Sequence, residues 1–137
     1  MRKNLNHNLG FLVLAFLLAW SSAFVMPESF AGETFKNLTV FDAHQMIEEQ
    51  GIQDVLDVRT DVEYAQSHLS GAVFIPLMVL DKRLHELKKD HTILVYCYKG
   101  KRSKMAGEYL ASKGFKKVYN MLGGIDSWIK EGYEVVR

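Results

Sequence analysis

The run Thr92-Ile93-Leu94-Val95-Tyr96-Cys97-Tyr98-Lys99-Gly100-Lys101-Arg102-Ser103 sets the terms for the whole chain. Its first five residues form a continuous β-rich stretch, the pattern of a strand buried on both faces. A strand of that kind belongs to a parallel sheet with helices above and below it. The strand gives way to a loop with a glycine at its centre, and Ser103 is placed to cap a helix. Ligands on parallel sheets sit beyond the carboxyl ends of the strands, and Cys97 occupies that place.

On either side of this run, short apolar segments alternate with amphipathic ones. Upstream, Asp42 with Gln45 reads as a capping box that opens a helix to about Gln50, and Gly51 stops it. Asp54–Val58 is a short strand, Asp61 is placed to cap a one-turn helix, and Ala72–Ile75 is a second strand ended by Pro76. Leu80, Leu84 and Leu87 lie at i, i+4 and i+7, which predicts one helix with an apolar core stripe. Downstream, Met105, Ala106, Tyr109 and Leu110 line one side of the helix that Ser103 opens, and Gly114 ends it. Val118–Leu122 is a further strand, and Gly123-Gly124 turns the chain into a last short helix carrying Trp128, a core residue. Strands alternating with helices from about Leu38 onward predict an α/β domain with a central parallel sheet and helices on both faces.

The 137 residues leave room for one domain, and 48% hydrophobic with 24% charged residues is a globular composition. A net charge of +1 excludes a general affinity for nucleic acid, so attraction for anions has to come from a local cluster. His44, His85 and His91 are scattered without metal-ligand spacing, and no metal or organic cofactor is expected. The N-terminus reads differently from the rest. Arg2 and Lys3 precede an apolar run from Leu9 to Trp20 that continues weakly to Met26, followed by Ser29-Phe30-Ala31. This is the pattern of a secretory signal peptide over residues 1–31, cleaved after Ala31, with a domain over 32–137 delivered to a periplasm. A retained inner-membrane anchor facing the periplasm and a buried helix of the domain are the alternatives.

An exported domain ordinarily uses cysteines in pairs, but Cys97 is alone, so it is either an inert core residue or a working thiol. Its surroundings favour work. A glycine loop before a helix can turn successive backbone N–H groups toward one point, and the helix's positive end points the same way. Lys99, Lys101 and Arg102 add three cations within five residues of the sulfur. All of these favour thiolate over thiol.

The segment Cys97-Tyr98-Lys99-Gly100-Lys101-Arg102-Ser103 resembles the active-site loop of the rhodanese family. Asp57-Val58-Arg59 with Glu63-Tyr64, His68-Leu69-Ser70-Gly71-Ala72 with Ile75-Pro76, and Gly123-Gly124-Ile125 with Trp128 resemble that family's other motifs, in the family's order. The resemblance covers Leu38 to the C-terminus. It implies a sulfurtransferase in which Cys97 takes sulfane sulfur from a donor such as thiosulfate and passes it to a thiophilic acceptor, cyanide or a protein thiol. Tyr98, Lys99, Gly100, Lys101, Arg102, Ser103 and Arg59 would then bind the substrate. The family's commonest loop has arginine directly after the cysteine, where this chain has Tyr98. An ion pair between Arg59 and Glu63 is expected, and His68 is expected to fix a loop. A cysteine phosphatase or arsenate reductase also sets a thiolate in an anion nest, but with a loop one residue longer than the four residues between Cys97 and Arg102. A non-catalytic sulfur-relay or interaction module is a further alternative. A thiol oxidoreductase lacks its resolving cysteine.

Overall fold

In the computed structural model, which describes residues 34–137, strands and helices alternate along the chain. The order is β1 (Phe35–Leu38), α1 (Val40–Glu48), β2 (Asp54–Asp57), α2 (Asp61–Gln66), β3 (Val73–Phe74), two 3-10 segments (Leu77–Lys82 and Leu84–Glu86), β4 (Thr92–Tyr96), α3 (Lys101–Ser112), β5 (Lys117–Met121) and α4 (Gly124–Lys130). The strands form one sheet in the order β1-β5-β4-β2-β3, and every pairing is parallel. Residues 1–31, read as a signal peptide or anchor, lie outside the described residues.

All five residues of β4 are buried, as the apolar run requires of a central strand. Alternation along it feeds two cores. Ile93, Val95 and Cys97 join Leu56, Val58, Ile75 and, from α3, Ala106 and Leu110 on one face. Leu94 and Tyr96 join Ala43 of α1 and Ile125 and Trp128 of α4 on the other. Helices therefore cover both faces, and Trp128 is core. In the ladder, Asp57 lies beside Tyr96 and Asn120 beside Val95, so the carboxyl ends of β2, β4 and β5 gather around Cys97.

Several local readings shift. The first strand, β1, lies mostly before Leu38, where the alternation of strands and helices was expected to begin, and is held at the sheet edge by β5. Its Phe35 ring packs where a side chain at Gly107 of α3 would collide with it. Thr39, not Asp42, caps α1: its Oγ1 accepts from the Asp42 N–H at 3.1 Å and donates to the Asp42 carboxylate at 2.7 Å. Gln45 instead donates to Glu49 at 3.0 Å. Thr60, not Asp61, caps α2, in a capping box with Glu63. The Leu80/Leu84/Leu87 stripe is not one α-helix. The two 3-10 segments break at Arg83, with i→i+3 bonds such as Arg83 N–H to Leu80 O at 3.1 Å and Leu87 N–H to Leu84 O at 3.1 Å. The stripe still does core work, since Leu80 and Leu87 are buried. Gly100, not Ser103, is the N-cap of α3 and adopts φ 95°.

Candidate active site

Cys97 directly follows β4, and the chain reverses into α3 within three residues, from Tyr98 to Gly100. That tight turn needs the left-handed conformation that Gly100 supplies. It brings the Gly100 N–H to 3.1 Å from the Cys97 sulfur. The backbone N–H groups of Lys99 and Ser103 also favour negative charge on that atom. Because α3 starts at Lys101, Ser103 lies in the first turn with its hydroxyl 3.4 Å from Sγ, rather than capping the helix. The same hydroxyl is 2.6 Å from Asn120 Oδ1 on β5, and Asn120 donates to Asn37 on β1 at 2.9 Å. Burial pushes the Cys97 thiol up. The Ser103 hydroxyl and the N–H groups of Ser103, Gly100 and Lys99 outweigh it, so the thiol lies below its ordinary value. Cys97 is 1% exposed, deeper than its place at the mouth of a loop suggests.

The loop's carbonyls face the other way. Cys97 O accepts from the Ile125 N–H at 2.9 Å and Tyr98 O from the Asp126 N–H at 3.1 Å, so α4 docks its first turn beneath the loop. A Cβ at Gly124 would collide with both of these carbonyls, and Gly124 has φ 58°. The double glycine is thus part of the site. It lets α4 approach close enough to occupy the loop's carbonyl oxygens, which leaves the N–H groups turned toward the sulfur.

The charged residues are arranged differently from expectation. Arg59 does not pair with Glu63. It is 3% exposed, and its guanidinium grips Asp57, with Nη2 at 2.6 Å from Oδ2 and Nε at 3.0 Å from both oxygens. It also donates to Ser67 O at 2.6 Å and lies over the Tyr96 ring. The spacing explains the swap: Asp57 and Arg59 point to the same side of an extended chain, whereas Glu63 is turned away by its capping role. Glu63 instead takes Arg102 in a two-pronged pair, at 2.6 and 2.8 Å. The Arg102 guanidinium, helped by the Thr60 N–H and hydroxyl, holds the Glu63 carboxyl down at about 2 against the opposing effect of burial. Arg102 is itself raised, first by Glu63 and further by the Cys97 sulfur, which it is close enough to feel. Lys99 lies over the exposed Tyr98 ring, and Lys101 is exposed. Both contribute charge to the rim rather than a bond to the sulfur.

His68 stacks on Tyr64, places Nδ1 3.1 Å from Tyr64 O, and bridges to Val136. This is the loop-fixing geometry expected of it. His44 stacks on Tyr133 beside Trp128. A cavity of about 300 Å³ lined by His44, Glu48, Ser70, Trp128 and Glu134 includes none of the loop residues. Among the described residues no cluster of side chains is suited to hold a metal ion. Two members of the site escaped the sequence reading as such, Glu63 as the partner of Arg102 and Asn120 behind Ser103. Both pairings span long separations that carry no local signal.

Residues 39–131 match the family model described as Rhodanese-like domain. The chain belongs to the rhodanese family. Among curated rhodanese relatives, it is 29% identical over 94 residues to the thiosulfate sulfurtransferase GlpE of Coxiella burnetii, covering 69% of this chain and 87% of the relative. It is 38% identical over 84 residues to a Bacillus subtilis protein named "Putative sulfur carrier protein YrkF", covering 61% of this chain. The match spans 45% of that relative, less than half its length. Among solved structures, a rhodanese-related protein from Thermoplasma volcanium superposes with a TM-score of 0.67 at 34% identity, covering 74% of this chain and 97% of the other. The fold is the rhodanese-like fold expected from the four motifs, and the chain falls in the sulfurtransferase class.

Proposed function

We propose that this rhodanese moves sulfane sulfur from thiosulfate, or a similar small sulfur anion, through a persulfide on Cys97 to a thiophilic acceptor. The observation that carries this reading is the sulfur of Cys97 held by the Gly100 N–H and the Ser103 hydroxyl at the start of α3. That cradle favours thiolate before reaction and the anionic persulfide after it. The Cys97 thiolate attacks the outer sulfur of thiosulfate. The bond between that sulfur and the sulfonate sulfur breaks, and sulfite leaves with the electron pair. The acceptor then attacks the terminal sulfur of the persulfide. With cyanide the product is thiocyanate, and the Cys97 thiolate returns. Tyr98, Lys99, Gly100, Lys101, Arg102 and Ser103 form the binding loop in this reading, while Arg59 is assigned to the scaffold because Asp57 and Ser67 already occupy its guanidinium.

Two half-reactions sharing one covalent intermediate require ping-pong kinetics. Initial rates at varied thiosulfate and cyanide are expected to give parallel double-reciprocal lines, and converging lines would rule the mechanism out. Arg102 is a loop cation on which the Cys97 sulfur acts, so Arg102→Ala is expected to lower thiosulfate kcat/KM by about ten- to a hundredfold, on the scale of one charge-assisted contact. Lys36→Ala, on the edge strand, should leave it unchanged, and rising salt should reproduce part of the Arg102 loss. Equal kinetics for the two variants would remove Arg102 from the site.

A second reading, a relay that hands sulfur to a partner protein, draws support from the likeness to the Bacillus subtilis protein named as a sulfur carrier. We further propose that the domain works in the periplasm after cleavage behind Ala31, on the strength of the basic start and apolar run. N-terminal sequencing of the exported protein is expected to begin at Gly32. A mature chain beginning at Met1 would instead mean a retained anchor.

A further inference from the structure

We infer that Glu63 is an internal counter-anion that sets the charge selectivity of the Cys97 site by competing with incoming anions for Arg102. The inference rests on the reading of Cys97 as the reacting atom and deepens it. Arg102 is the cation of the loop that feels the sulfur, and Lys99 and Lys101 have exposed side chains at the rim. Both prongs of its guanidinium are already taken by a carboxylate, at 2.6 and 2.8 Å. A planar two-pronged pairing is the same geometry a sulfonate or carboxylate on a donor would use. A donor anion has to displace Glu63 or share the guanidinium with it. Glu63 resists displacement because it is fixed from its own side. The Thr60 N–H and hydroxyl donate to its Oε2 at 3.0 and 2.9 Å, so the carboxylate is held by the start of α2 as well as by Arg102. The pair is half-buried, with side-chain exposures of 35% for Arg102 and 27% for Glu63, so its field reaches the mouth of the site without being fully screened. Glu63 therefore lowers the site's preference for highly charged donors below what the loop's cations and N–H groups alone would give. Glu63 acts through Arg102 and is a specificity-determining residue, not a catalytic one.

The test reads charge selectivity at the sulfur without relying on sulfur transfer. Iodoacetate and iodoacetamide alkylate the same thiolate, one as an anion and one as a neutral molecule, and the ratio of their rate constants at Cys97 reports the local field. Glu63→Gln keeps an acceptor for the Thr60 cap and removes the charge. Glu63→Ala also frees the guanidinium, should the glutamine still hold it. In both variants the iodoacetate-to-iodoacetamide ratio is expected to rise about three- to tenfold over the unaltered protein at low salt, the scale of one unit charge acting across an exposed site. Glu86→Gln, which breaks the remote Arg83–Glu86 pair, should leave the ratio unchanged. In an Arg102→Ala background, Glu63→Gln should change it much less, because the carboxylate then has no cation to compete for. A ratio that stays constant in both Glu63 variants overturns the inference, as does an equal rise with and without Arg102. If sulfur transfer is absent while the ratio still rises, the failure lies with the proposed reaction and not with the role of Glu63. If transfer is present, the thiosulfate KM should fall in Glu63→Gln in step with the ratio.

Discussion

Exposure to thiosulfate is expected to add one sulfur atom to the intact mass of the protein, at Cys97, and cyanide is expected to remove it as thiocyanate. Cys97 is the single thiol of the chain, so the adduct has one place to form. The sulfur lies below the ordinary thiol range despite burial, because the Ser103 hydroxyl and the N–H groups of Ser103, Gly100 and Lys99 stabilise its charged form. Cys97→Ser keeps the shape and the hydrogen-bonding partners, yet a hydroxyl stays protonated near neutral pH and cannot hold a persulfide. Turnover should fall by about 10⁴-fold or more, the scale of deleting a catalytic nucleophile. Stability should change by about 1 kcal/mol or less, because the loop N–H groups can donate to an oxygen in place of the sulfur. Intact-mass measurement before and after each reagent decides the matter. An unmodified mass after thiosulfate would point to another donor, and thiocyanate formation by Cys97→Ser would defeat the mechanism.

The largest effect on stability should come from Asp57→Ala. Asp57 is 0% exposed and Arg59 3%, and the carboxylate accepts the Arg59 backbone N–H at 2.9 Å as well as its guanidinium. Removing one partner leaves a buried guanidinium with only Ser67 O in its place, at a cost of about 3–5 kcal/mol. Because Asp57 ends β2 beside Tyr96 of β4, the damage should reach the strand that presents Cys97. Chemical denaturation of the unaltered protein and the variant measures the loss. Replacing both residues, Asp57→Ala with Arg59→Met, removes the stranded charge along with its partner and should recover much of the stability, since buried pairs exchanged for apolar groups are often close to neutral. A double variant as unstable as Asp57→Ala alone would show that the pair's contribution is not one of mutual charge compensation.

The sequence by itself determined the parts of this protein that depend on near neighbours. The apolar run Thr92–Tyr96 can only be a strand buried on both faces, and its all-buried pattern follows. The alternation of strands with helices fixes a parallel sheet, and the glycine between Cys97 and Ser103 lets the loop close within the span that those few residues define. Cys97 at a strand's carboxyl end was legible for the same reason. The tertiary structure alone decided which charges meet. Thr60 at the N-cap turns Glu63 away from Arg59 and toward Arg102 of α3, 39 residues away in sequence and adjacent in space. Arg59 turns inward to Asp57 because a period of two places both on one side of an extended chain. The edge strand β1 has too few buried residues to announce itself and exists because β5 offers it a ladder. The double glycine reads locally as a turn, but its close approach to the Cys97 and Tyr98 carbonyls appears only when α4 is packed beneath the loop. Local periodicity and steric preference are encoded within a few residues, whereas an ion pair or a backbone contact between distant segments is selected by the packing that brings them together.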